Sequence, residues 1–165
     1  MDVMDDISEL VIKAKCTELV TRYCKAVNHT DDEDFLAVWT EDCVWNRPVG
    51  APMHGRAQIQ AWLDQRVLDR VMRHVNGASL VKVVDDRHAR GWSQTVVYGV
   101  AGTMELPARM ELPTMVVEYE DWYELRGDEW LIARRDTTWV FLSDADPLAS
   151  GRLNVLADDA EVPLS

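Results

Sequence analysis

The sequence predicts an α+β domain in which helices pack on one face of a curved antiparallel sheet. Apolar residues in the first 70 positions recur at intervals of three and four, as on the buried side of amphipathic helices. From about residue 74 the apolar residues alternate with polar ones, which is the pattern of half-buried strands. Because the helical segments precede the strands and do not alternate with them, the order favours α+β over α/β.

Three helices are expected in the first part of the chain. The first spans 7–27 and stops at the turn-forming stretch NHTDD, the second spans 32–39, and the third spans 56–71. Between the second and third helices, DCVWNRP (42–48) is predicted to be an edge strand ended by its proline, and GAPMHG (50–55) a loop.

The second part of the chain is predicted to form two hairpins. Strands 74–86 and 88–102 flank a charged turn, and strands 115–125 and 129–142 flank Arg126-Gly127-Asp128. The stretch AGTMELPARMELPT (101–114), with two prolines, is expected to be a loop or lid between them.

Strand alternation assigns side chains to the two faces of the sheet. The inner face is predicted to carry two sets: Met115, Val117, Tyr119, Asp121 and Tyr123, and Leu131, Ala133, Arg135, Thr137, Trp139 and Phe141. The outer face would then expose Val116, Trp122, Trp130 and Ile132. An exposed apolar face of this kind is typical of an interface between subunits, so a homodimer or larger homo-oligomer is expected.

Length and charge limit the remaining possibilities. The 165 residues suit one domain, assigned to 1–143, with an acidic and partly ordered tail over 144–165. A net charge of −12 repels phosphate backbones and anionic lipid, so neither nucleic acid nor membrane is expected as a partner. The acidic start and the lack of a long apolar stretch indicate a cytoplasmic protein.

The sequence offers no cofactor motif. Glycine-rich nucleotide loops, GxSxG, HExxH and CxxC are all missing from it. The cysteines Cys16, Cys24 and Cys43 lack metal-ligand spacing and are expected to be small buried hydrophobes. Neither a metal nor a cofactor is therefore expected.

Four stretches carry a family resemblance: YCKAVNHTDDEDFLAVWTEDCVW (23–45), HGRAQIQAWL (54–63), RHVNG (73–77) and DWYELRGDEWLIARR (121–135). In this order and spacing the chain, over roughly 10–141, resembles the SnoaL-like branch of the nuclear transport factor 2-like superfamily, which includes scytalone dehydratase and bile-acid 7α-dehydratase. The resemblance implies a cone-shaped fold with a deep apolar pocket between helices and sheet. It also implies an activity without a cofactor.

The same resemblance implies catalytic roles for three residues. In the dehydratase-like members a strand His removes a proton, a helix Asp pairs with it, and a nearby Tyr acts as acid; these positions are His74, Asn28 and Tyr23 here. Asn28 departs from the pattern, because a neutral amide can orient an imidazole but does not stabilise its cation. The alternatives are a core histidine bonded to a backbone carbonyl, a helix C-cap for Asn28 and a core tyrosine.

Substrate contacts are expected from Tyr119, Arg135, Trp139, Trp45, Trp62 and Asn76. The tryptophans could form flat walls for a ring system, and Arg135 with Tyr119 could stabilise a phenolate or enolate. A buried Arg135 needs either Asp121 or an anionic ligand group as its partner. Alternatively, Tyr119 and Trp139 fill the cone, and Arg135 points outward if the strand parity is wrong.

Two classes of function follow. The first is a lyase that needs no cofactor and eliminates water, or a one-carbon fragment by a retro-aldol step, from a small hydrophobic, aromatic or polycyclic hydroxylated molecule. Isomerisation and epoxide hydrolysis would need a stronger carboxylate base. The second is a non-catalytic ligand-binding or assembly subunit, resembling the β subunit of ring-hydroxylating dioxygenases. An open polar cavity at His74 would favour the lyase, and a cone filled with side chains would favour the subunit.

Overall fold

The computed structural model describes residues 5–110 and 113–143. Its elements, in chain order, are α1 (Asp6–His29), α2 (Asp32–Ala37), β1 (Trp39–Asn46), β2 (Met53–His54), α3 (Gly55–Gln65), β3 (Arg70–Val83), β4 (His88–Ala101), β5 (Met115–Arg126) and β6 (Glu129–Leu142). The predicted acidic tail, 144–165, lies outside the described residues.

The first helix is fixed at both ends by local hydrogen bonds. The Asp5 carboxylate accepts from the backbone N–H groups of Ile7 and Ser8, each at 3.0 Å, as expected of an N-cap. At the other end Thr30 adopts a left-handed conformation, with φ +58°, and its N–H bonds back to the last turn. Thr30 is therefore the C-cap, and Asn28 remains within the helix with its side chain free for another role.

The strands form one six-stranded sheet in the order β2-β1-β6-β5-β4-β3. Four of its neighbouring pairs are antiparallel, whereas β1 and β6 run parallel. Helices pack against one face of this curved and unclosed sheet, which confirms the predicted α+β class. The prediction that residues 42–48 form an edge strand is wrong, because β1 lies between β6 and β2. The edge is β2, which occupies part of the predicted loop 50–55.

The third helix is shorter than predicted. It ends at Gln65 instead of residue 71, and Arg66 has the extended dihedrals φ −71° and ψ 142°. In this extended conformation Arg66 forms an ion pair with Asp32 at the start of α2. The apolar side chains of Val67 and Leu68, which completed the helical pattern, are exposed in the connection to β3.

Two bulges in β6 change its predicted parity. Trp122 pairs with Arg134, but the next residue of β5, Tyr123, pairs with Ile132, so one extra residue of β6 lies between these pairs. The side chains on the N-terminal side of this bulge consequently exchange faces. Trp130 and Ile132 are buried, so the prediction that they lie on the exposed face is wrong.

The second bulge lies between the pairs Val117–Trp139 and Val116–Phe141. Trp139, before this bulge, faces inward as predicted because it pairs with Val117, whereas Phe141, after it, pairs with Val116 and is 69% exposed, not inward as predicted. On β5 the parity is as predicted, because Met115, Val117, Tyr119, Asp121 and Tyr123 are all buried. The apolar outer face is thus smaller than the sequence implied.

The core lies between the helices and the inner face of the sheet, and all three cysteines are buried in it as free thiols. Their burial confirms the prediction that they are small hydrophobes. Burial raises the pKa of Cys16 to about 12 and that of Cys43 to about 11, so both stay protonated at neutral pH. Among the described residues, no helix is both long and apolar enough to cross a bilayer.

Candidate active site

A cavity of about 460 Å³ opens between the C-terminal end of α1, the start of β3 and the inner face of the sheet. Its volume lies in the range of small-molecule sites. It brings together most of the residues predicted for the site: Tyr23, Asn28, Trp45, Trp62, His74, Tyr119 and Trp139. Of the predicted residues, Asn76 and Arg135 are not among the described residues that line it.

His74 is held by the side chain of Asn28. The Asn28 Oδ1 atom accepts the backbone N–H of His74 at 2.7 Å and lies 2.9 Å from Nδ1 of its ring. The amide Nδ2 donates to the His74 carbonyl oxygen, at 3.4 Å. Because Oδ1 is fixed as an acceptor by the backbone N–H, Nδ1 carries the ring proton. The lone pair of the neutral ring is therefore on Nε2.

The ring of His74 is neutral over the physiological range. Burial lowers its pKa to about 4, and the nearby positive charge of Arg135 acts in the same direction. Among the hydrogen bonds of the described residues, the ring is bonded to a side chain of α1 and not to the backbone carbonyl of an ordinary core histidine. His74 thus presents a preorganised acceptor in a cavity.

Tyr23 lines the same cavity and belongs to an aromatic cluster. Its ring centroid is 5.1 Å from that of Phe35 and 5.7 Å from that of Tyr119, with the two tyrosines edge to face. Burial raises the pKa of Tyr23 to about 12, although Arg135 acts in the opposite direction. The phenol is protonated at neutral pH, and it can donate a hydrogen bond or a proton.

Arg135 is completely buried and pairs with Asp121. The Nε and Nη2 atoms donate to the two carboxylate oxygens at 2.7 and 2.8 Å, and the Tyr123 hydroxyl donates to the same carboxylate at 2.9 Å. The guanidinium carbon lies 4.2 Å from the ring centroids of both Tyr23 and Tyr119. Of the two predicted partners, Asp121 is the one present. Arg135 does not line the cavity itself but contacts Tyr23 and Tyr119, which do.

Asn76 lies farther along β3 from the cavity. Its Nδ2 donates to Ser79 Oγ at 3.2 Å, and its Oδ1 accepts from Thr95 Oγ1 at 3.3 Å. The amide therefore satisfies neighbouring hydroxyl groups. The bulge between Asn76 and Ser79 accompanies this local arrangement.

The aromatic wall is formed by Trp45, Trp62 and Trp139. The Trp45 and Trp62 rings meet at 89° with centroids 5.5 Å apart, and the Trp45 Nε1 donates to Thr137 Oγ1 at 3.3 Å. This bond orients the Trp45 ring, which is buried, while the other two remain partly accessible. The described residues contain no group of three or more His, Cys, Asp or Glu side chains placed to hold a metal ion.

The model of the SnoaL-like domain matches residues 8–136. The chain belongs to the SnoaL-like domain family. This confirms the resemblance inferred from the four stretches and accounts for the helices over a curved sheet. No curated protein sequence matches the chain.

Solved structures resemble this SnoaL-like chain in fold. A putative scytalone dehydratase from Novosphingobium aromaticivorans DSM 12444 has 16% identity and a TM-score of 0.73, covering 86% of this chain and 93% of its own. Hexachlorocyclohexane dehydrochlorinase LinA-type3 from Novosphingobium barchaimii LL02 has 13% identity and a TM-score of 0.72, with 84% and 93% covered. A protein of unknown function from Mycobacterium tuberculosis has 24% identity and a TM-score of 0.65, with 80% and 78% covered.

Several lining residues of this SnoaL-like cavity did not follow from the sequence pattern. Arg47 and Arg73 contribute guanidinium groups, and exposed apolar side chains surround the opening: Val67, Leu68, Met104 and Leu106. The last two belong to the loop predicted as a possible lid. An arginine two residues after a tryptophan in the apolar stretch DCVWNRP was the available indication of Arg47. His29 also lines the cavity, and His54 and His88 are exposed.

Proposed function

We propose that this SnoaL-like protein is a lyase that needs no cofactor and acts on a small, hydrophobic, aromatic or polycyclic hydroxylated molecule. The observation that carries the proposal is a neutral His74, held by Asn28 with its Nε2 lone pair unprotonated, in a cavity that also contains the protonated Tyr23. Two neighbours in fold are named a dehydratase and a dehydrochlorinase, which supports an elimination.

His74 acts as the base through Nε2. Its pKa of about 4 keeps it in the basic form at neutral pH, but it also makes it a weak base. The proton removed is consequently an activated one, on a carbon beside a carbonyl group or an aromatic ring that spreads the developing charge. Asn28 contributes by fixing the tautomer and the orientation of the ring.

Tyr23 acts as the acid. The electron pair of the broken C–H bond forms the new C=C bond, the C–O bond breaks toward oxygen, and the oxygen takes the Tyr23 proton and leaves as water. The proton held by His74 then returns to the Tyr23 phenolate through solvent. Arg135, 4.2 Å from the centre of the Tyr23 ring, favours the transient phenolate. In a retro-aldol step the same base would take a hydroxyl proton, the electron pair of the O–H bond would form a C=O bond, and the electrons of the broken C–C bond would form an enolate that takes the Tyr23 proton.

The decisive experiment compares turnover and binding of hydroxylated aromatic compounds by the wild type, His74→Gln and Tyr23→Phe. We expect turnover to fall by about 10²- to 10⁴-fold in both variants, the usual contribution of a positioned acid or base, while affinity changes little. His88→Gln is the matched control, since His88 is exposed and pairs with Asp85. Undiminished turnover by His74→Gln would refute the assignment of the base.

A non-catalytic binding subunit is the second candidate. The open cavity favours a small-molecule site over a cone filled with side chains. Saturable binding without turnover of any compound in the panel would instead support the subunit. The homodimer and the cytoplasmic location stay predictions, and light scattering during gel filtration measures the first.

A further inference from the structure

The cavity differs in charge from the rest of the protein. The whole chain has a net charge of −12, whereas the described residues lining the cavity include no Asp or Glu. The basic side chains that line it are Arg47, Arg66, Arg70, Arg73, His29 and His74. A concave site with basic walls in an acidic protein attracts an anion selectively to that site.

Three of the four arginines already have partners. Arg66 pairs with Asp32, and Arg70 lies 3.9 Å from a carboxylate oxygen of Asp69. Arg73 donates to the carbonyl oxygen of Asn28 at 3.1 Å and to that of its own neighbour, Met72, at 2.6 Å. These three guanidinium groups thus already interact with acceptors of the protein, and they line the cavity.

Arg47 is the exception. Among the described residues no carboxylate lies within ion-pair distance of it, and its buried Nε has no hydrogen-bond partner. Its guanidinium carbon lies 5.7 Å from the Trp45 ring centroid and 5.3 Å from that of Trp62. Burial lowers the pKa of Arg47, because its charge is only partly hydrated. An incoming anion would supply the missing partner.

The backbone after β1 makes room for this guanidinium. Gly50 has φ +80°, and a Cβ atom placed on it would lie 3.0 Å from Nη2 of Arg47. A glycine here therefore permits both the left-handed turn and the close approach of the side chain. The planar group is held against the aromatic wall, an arrangement suited to two parallel hydrogen bonds from a guanidinium to a carboxylate.

We propose that the substrate is an aromatic acid, whose ring packs against Trp45 and Trp62 and whose carboxylate binds the guanidinium of Arg47. This inference rests on the proposed function, because it assigns the substrate class of the same cavity. It places the anion-binding group on the connection after β1. His74 and Tyr23 remain the reacting groups.

The test measures binding of two probes of the same shape, 2-naphthoate and 2-naphthamide, by isothermal titration calorimetry at neutral pH. The wild type is expected to bind the acid about tenfold to hundredfold more tightly than the amide, as for a charge-assisted bond to a partly buried arginine. Arg47→Met should abolish this preference, and Arg47→Lys should retain part of it. Arg90→Met is the matched control, because Arg90 lies 5.4 Å from the Trp122 ring centroid, is exposed and does not line the cavity.

Equal affinity of the wild type for the two probes, or binding of neither, would overturn the proposal even if a variant failed to fold. A preference that survives in Arg47→Met would also overturn it. Neither probe needs to react, so the result is independent of catalysis. An acid preference with no turnover of any hydroxylated compound would refute the lyase and keep the anion site. Turnover of neutral compounds, together with equal affinities for the acid and the amide, would refute the anion site and keep the lyase.

Discussion

Replacing Asn28 with Asp would restore a carboxylate beside the imidazole of His74. The new oxygen would occupy the place of Oδ1, 2.9 Å from Nδ1 of His74, and would still accept the backbone N–H. The bond from the amide Nδ2 to the His74 carbonyl would be lost. The perturbation therefore changes the charge next to the ring while keeping the contacts that orient it.

The expected shift follows from the attraction between two unit charges. At roughly 4 Å and an effective dielectric constant of about 20, the attraction is about 4 kcal/mol, or about 3 pKa units before the cost of burying the carboxylate. A net increase of about 2 units would raise the pKa of His74 from about 4 to about 6. The variant would have a stronger base, but part of it would be protonated near neutral pH.

NMR of the histidine Cε1–H resonances between pH 3.5 and 8 measures this shift. The chain has four histidines, and His74→Gln identifies the resonance by its disappearance. Asn76→Asp serves as the control, because it adds the same negative charge on β3, the strand that carries His74, at a side chain that does not contact the ring. Wild-type His74 titrating near 6.5, or a resonance in Asn28→Asp that titrates as in the wild type, would refute the reasoning.

Three further outcomes are expected. Asp121→Asn should lower the free energy of unfolding, measured by urea denaturation, by about 3–5 kcal/mol, because it leaves the buried guanidinium of Arg135 without its counter-ion. Lys13→Met is the control: it breaks an exposed ion pair with Glu9 and should lower the same free energy by less than about 0.5 kcal/mol. Gly91→Ala should cost about 1–3 kcal/mol by the same measurement, since its Cβ would lie 2.7 Å from the Tyr123 ring. Stability should fall from pH 6.5 to 4 by about 3 kcal/mol more in the wild type than in His74→Gln, because His74 binds a proton at higher pH in the unfolded chain than in the folded protein; equal slopes would contradict this.

Periodicity predicted the helices and hairpins well because burial on one side is what these segments share. The pattern was misleading where apolar residues serve another purpose. Val67 and Leu68 continued the helical spacing of α3, but they lie at the cavity opening, in an extended connection. The edge position assigned to β1 was wrong because its parallel pairing with β6 joins distant parts of the chain, which no local pattern records.

The candidate site was predictable where it rests on strand parity and family position. His74, Tyr23 and Asn28 all reach the cavity, although their catalytic roles stay predictions. Arg135 faces inward as expected, yet its pairing with Asp121 and its stacking on tyrosines depend on three-dimensional proximity. Arg47 was missed because an arginine ahead of a proline gives no periodic pattern to interpret.

The bulge in β6 between Ile132 and Arg134 divides the strand into a part that packs in the core and a part that lines the cavity. Before it, Trp130 and Ile132 are buried in the core; after it, Thr137 and Trp139 contact the cavity. Apart from the buried Arg135, which pairs with Asp121, residues of the second part can be substituted to change the shape of the ligand space without disturbing the core packing. Selection for a new substrate can thus act on one half of the strand while the other half preserves the scaffold.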